Sequence, residues 1–128
     1  MHVRIQQPVT LEESEPEPDM AVVRGAIRDY TNRNPAGLDV GLVIEVADTS
    51  LQMDREQKRP IYAQAGIDEY WVVNLNDNTI EVFRDPQQGN ESNRARFQSH
   101  RILSFSDKIA VSLGDHSIGE LKVSDLLP

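Results

Sequence analysis

Hydrophobic positions recur along this chain in two rhythms, and the switches between them mark out its elements. Val3 and Ile5, then Val9 and Leu11 beyond Pro8, alternate with polar residues, a strand pattern interrupted at the proline. EESEPEPD follows, four glutamates and two prolines ending at Asp19, and reads as extended and solvated. Met20-Ala21-Val22-Val23 predicts a second strand, and residues 24–38, rich in Gly, Asn and Pro, a loop. Gly41-Leu42-Val43-Ile44-Glu45-Val46-Ala47 is almost continuously apolar, as befits a central strand covered on both faces.

The period then lengthens. LQMDREQKRPIYAQAG favours a helix, with Thr49 and Gln52 placed as a capping box and Gly66 as the residue that ends it. Asp54, Lys58 and Tyr62 recur at four-residue spacing, on one helical face. Pro60 predicts a kink or a second start. Glu69-Tyr70-Trp71-Val72-Val73 reads as a strand again, turning at residues 74–78 into Thr79-Ile80-Glu81-Val82-Phe83 as a hairpin. Residues 84–94 form a polar loop, and Phe97–Leu103, Ile109–Leu113 and Ile118–Val123 add short strands. The order predicts a mixed α/β (α+β) fold: a mostly antiparallel sheet with one main helix in a strand–helix–strand crossover.

The 128 residues suit a single domain spanning 1–128, and 34 of them are Leu, Ile, Val or Phe. That exceeds the roughly one-fifth below which chains fail to collapse. The absence of cysteine excludes a disulfide scaffold, a thiolate zinc site and a cysteine nucleophile. No apolar run approaches the ~20 residues of a membrane helix, and Met1-His2-Val3-Arg4-Ile5 opens no secretory signal, so a soluble cytoplasmic protein is expected. Thirteen basic residues against twenty-one acidic ones, net −8, argue against a non-specific nucleic-acid binder. They leave room for an enzyme that offsets clustered carboxylates with divalent cations.

Three residues carry candidate chemistry. Asp19 opens one strand, Glu45 interrupts an apolar one, and Lys58 lies on the helix after it. On neighbouring strands the two carboxylates converge at one sheet edge, a donor set suited to Mg²⁺, and a nearby lysine stabilises charge on a phosphate or orients a water. Plain alternatives stand beside this. Pro-Asp is an ordinary turn dipeptide. A lysine partner alone accounts equally well for a buried glutamate. Asp54 and Lys58 also fit a surface pair, and Tyr62, Tyr70 and Trp71 read as packing.

Together, SEPEPD with MAVV, LVIEVADTSLQMDREQK, PIYAQAGIDEYWVVN and IEVFRDP resemble the Uma-type restriction endonuclease family of the PD-(D/E)XK nuclease superfamily. The resemblance covers nearly the whole chain and implies a restriction-endonuclease-like core. It implies a Mg²⁺- or Mn²⁺-dependent endonuclease acting on DNA, with Asp19 and Glu45 as metal ligands and the Val46 carbonyl beside the metal. The superfamily lysine two residues after the glutamate is Ala47 here. Lys58 matches the helix lysine that takes over, with Asp54 and Gln57 assisting. Other members carry an N-terminal helix before the first strand, with a glutamate that completes the site; this sequence begins at about that strand. A catalytically silent binding domain, a homodimer paired through an exposed strand edge, and an acidic partner for a basic protein are the competing expectations.

Overall fold

Val40–Ala47 (β3) is the pivot of the molecule. On one side it pairs antiparallel with Met20–Val23 (β2), which pairs antiparallel with the edge strand His2–Ile5 (β1). On its other side it runs parallel to Glu69–Asn74 (β4). Antiparallel pairing continues through Thr79–Gln87 (β5) and Arg96–Ser104 (β6), giving a six-stranded sheet in the order β1-β2-β3-β4-β5-β6. Lys108–Leu113 (β7) and His116–Lys122 (β8) form a separate hairpin. The computed structural model describes residues 1–11, 14–47, 52–104, 106–113 and 116–122, and only the backbone of 52–56, 111–113, 116–118 and 121.

A parallel pair needs a crossover, and the helix Gln52–Gln64 (α1) provides it. α1 runs through Pro60 as one element, so the proline neither ends it nor starts another. Buried Tyr62 and Ala63 just beyond the proline hold the second half against the sheet, and such packing outweighs the lost hydrogen bond. The helix ends where Gly66 takes φ +77°. There the Ile67 N–H donates to Tyr62 O at 3.3 Å and the Gly66 N–H to Ala63 O at 3.1 Å, the paired bonds of a Schellman stop. The Thr49–Gln52 capping box lies outside the described residues.

Two cores sandwich the sheet. Val43, Ala47, Tyr62, Ile67, Tyr70 and Phe83 pack between it and α1. Leu42, Trp71, Val73, Ile80, Leu103 and Ile109 fill the opposite face, where β7 lies. This explains the almost continuous apolar run of β3: its alternate residues serve different cores. Some boundaries differ from the pattern. β5 runs on to Gln87, beyond the expected Phe83, because Arg84, Pro86 and Gln87 pair with Ser99, Phe97 and Arg96. The segment expected as a loop at 24–38 holds a short 3-10 turn, Ile27–Tyr30, and the start of a second, Gly37–Asp39. Beyond Pro8 the strand pattern survives only as an isolated bridge, Thr10 to Ala36. Among the described residues no helix is long and apolar enough to cross a membrane.

Candidate active site

Glu45 lies on the α1 face of β3, 7% exposed, because Val43, Glu45 and Ala47 share that face. A buried carboxylate requires donors, and three side chains supply them. Tyr62 donates its hydroxyl to Oε1 at 2.8 Å, Lys58 donates Nζ to the same oxygen at 3.2 Å, and Tyr70 donates its hydroxyl to Oε2 at 3.0 Å. Each position follows from local geometry. Lys58 and Tyr62 are one helical turn apart on α1. Tyr70 pairs with Val43, two residues before Glu45, and therefore shares its face.

Asp19 immediately precedes β2. The β2–β3 register pairs Met20 with Ile44, so one step further sets Asp19 level with Glu45. Both ends of Asp19 are fixed. Its carbonyl accepts the Gln6 N–H at 3.1 Å, and its Oδ2 accepts the Val46 N–H at 2.8 Å. The buried Pro18 anchors the approach, while Asp19 remains partly accessible.

The charges are felt by their neighbours. The Tyr62 phenol is pushed far above its ordinary range, first by burial, then by the Glu45 charge and hydrogen bond, with smaller contributions from Tyr70 and Asp19. Tyr62 thus stays a neutral donor to Glu45. Lys58 is the solvent-facing member of the group, its side chain 37% exposed against 10% for Glu45.

The structure therefore brings Asp19, Glu45, Val46 and Lys58 together where β2, β3 and α1 meet. Gln57 is exposed, and among the described residues no hydrogen bond joins it to Glu45 or Asp19. The Asp54 side chain lies outside the described residues. Among those described, no three His, Cys, Asp or Glu side chains cluster to hold a metal. Asp19, Glu45 and the Val46 main chain still fit a hard divalent cation in donor chemistry, since such ions take one or two carboxylates and complete their shell with water. Three hydrogen bonds leave a carboxylate, with about four lone-pair sites, capacity for one more contact. Tyr62 and Tyr70 are the residues that sequence reasoning assigned to packing alone. Their signal was present in the helical spacing from Lys58 and in the aromatic strand after the crossover.

Comparison with known proteins bears on the family and the fold. A family model described as "Uma2: Putative restriction endonuclease" matches residues 2–114. Among solved structures, a "putative nuclease belonging to DUF820" from Anabaena variabilis ATCC 29413 superposes with a TM-score of 0.68 at 13% identity, covering 97% of this chain. This chain spans 66% of that neighbour's length. No curated protein matches the chain.

Proposed function

This chain belongs to the Uma2 restriction-endonuclease family, and on that premise we propose that it is a divalent-metal-dependent endonuclease that hydrolyses phosphodiester bonds in DNA. The observation that carries the reading is the shared oxygen of Glu45, reached by Lys58 from α1 while Asp19 grips the next residue of β3. Asp19, Glu45 and the Val46 carbonyl would hold Mg²⁺ or Mn²⁺. When bound, such an ion supplies Lewis-acid activation of the phosphate and a more acidic water.

The chain's own groups have separable tasks. Tyr62 and Tyr70 keep the Glu45 carboxylate oriented by donating to both of its oxygens. Lys58, half in solvent, presents a cation beside that carboxylate, where it stabilises charge on a phosphate or holds a water. The Val46 N–H fixes the rotamer of Asp19. Plasmid nicking with Mn²⁺ tests the reading: wild type nicks, and Glu45→Gln and Lys58→Ala do not. Equal cleavage by all three removes this site from the reaction.

One observation favours a second reading, a silent domain that keeps the nuclease fold. Glu45 is already satisfied by three donors, so a purely structural ion pair accounts for its burial. Wild type without nicking activity and without divalent-metal binding by calorimetry selects that reading.

A further inference from the structure

On the sheet face away from α1, β5 and β6 meet the β7–β8 hairpin along a cleft of about 220 Å³, lined in part by Val82, Arg84, Arg101, Lys108 and Glu120. Three cationic side chains open onto one small cleft in a chain of net charge −8. The sheet register explains the grouping. Arg101 pairs with Val82, and Arg84 lies two residues along β5. Lys108 enters from β7, where it pairs with Lys122, a further cation at the same end of the hairpin.

These cations are not equivalent. Arg84 Nε donates to the buried Glu69 Oε1 at 2.6 Å, and its Nη2 lies 3.5 Å from Ala110 O. Its guanidinium is thereby fixed, with most of its five N–H donors uncommitted. Arg101 and Lys108 have no hydrogen-bond or ion-pair partner among the described residues. Glu69 and Glu120 offset two of the three charges that line the cleft, leaving it net positive. The cleft is also preformed, because Ile109, 2% exposed, anchors β7 in the core beneath. Its volume is below that of drug-sized pockets and suits a small ion with its waters.

We infer that this cleft binds a phosphate group, with Arg101 and Lys108 supplying charge and Arg84 a fixed planar donor. Arginine forks match tetrahedral oxyanions, and charge-assisted bonds to phosphate are the stronger class. The cleft lies on the opposite face of the sheet from Glu45, so it is independent of the proposed metal site.

The test uses the whole chain, isotopically labelled, titrated with inorganic phosphate and separately with a short DNA duplex. Arg101→Gln, Lys108→Gln and the double variant are compared with wild type, and their amide spectra verify the fold. Inorganic phosphate should shift the amides of Arg84, Arg101 and Lys108–Ala110, and each substitution should weaken it about tenfold. If duplex affinity falls as well, with a salt slope reduced by about 0.9 per lost cation, the phosphate belongs to nucleic acid. If only inorganic phosphate weakens, the occupant is a free phosphate. Absence of these shifts, or equal phosphate affinity in wild type and the double variant, overturns the inference. Loss of phosphate binding in Glu45→Gln with retention in the double variant overturns it too, by moving the anion to the other face. None of these readouts depends on cleavage.

Discussion

The Tyr62 hydroxyl sits 2.8 Å from Glu45 Oε1, joining the last turn of a helix to a carboxylate buried under it. The bond couples stability to the candidate site, because a buried charge that loses a donor keeps its desolvation cost. Tyr62→Phe keeps the ring and removes only that donor. Its cost should be about 1.5–3 kcal/mol, the range for hydrogen bonds to charged groups. Urea denaturation measures it, and a change within error of zero would show that Lys58 and Tyr70 suffice.

Alkaline pH should expose the same bond. The Tyr62 phenol is raised in the folded state, chiefly by burial and then by Glu45, whereas the unfolded chain ionises near pH 10. Below that pH both states keep the proton and the full stability is present. Above it the unfolded state binds fewer protons, so stability falls by about 1.4 kcal/mol per pH unit from this one group. Denaturation midpoints between pH 9 and 11 should fall more steeply in wild type than in Tyr62→Phe. Parallel curves would contradict the assignment.

Lys58→Ala should separate chemistry from folding. The side chain is 37% exposed, so its ion pair with Glu45 is screened and contributes little. Two tyrosine donors remain on the carboxylate. Loss of one preorganised cation beside a phosphate typically costs ~10²–10³ in rate. Nicking should drop by that factor while the melting temperature barely moves, and Lys58→Arg should rescue only partly because its donors are placed differently. Unchanged nicking in Lys58→Ala excludes the lysine.

Divalent metal should raise thermal stability if Asp19 and Glu45 bind it, since a ligand of the folded state alone stabilises by mass action. Chelator should reverse the rise, and Asp19→Asn with Glu45→Gln should abolish it. A melting curve indifferent to millimolar Mg²⁺ and Mn²⁺ speaks for the silent-domain reading.

Gly37→Ala tests the loop that braces the helix end. A Cβ there would stand 2.5 Å from Ala65 O and 2.9 Å from Ala65 Cβ, against backbone that cannot yield cheaply. Overpacking of this kind costs roughly 1–3 kcal/mol. A neutral substitution, read by thermal unfolding, would mean that the loop moves freely away from α1.

Much of this protein was determined by local pattern. Short apolar, β-branched and aromatic runs located β2 and β4, alternation located the start of β5, the longer apolar run located β3, and the four-residue recurrence from Lys58 to Tyr62 with Gly66 located α1 and its end. Those signals depend on neighbours a turn or a pleat away, which the chain carries within itself. The same locality exposed Glu45 as anomalous and placed Lys58 on the helix after it. What Glu45 does with its charge was decided only by the tertiary structure. The parallel register setting Val43 beside Tyr70, and the packing that brings Tyr62 down onto the carboxylate, join residues 17 to 27 positions apart. The second half of β5 likewise exists because β6 pairs with it, against a local sequence rich in turn formers. Strand pairing and burial are bought by closing long loops, and no short window of sequence contains the partner that makes closure worthwhile.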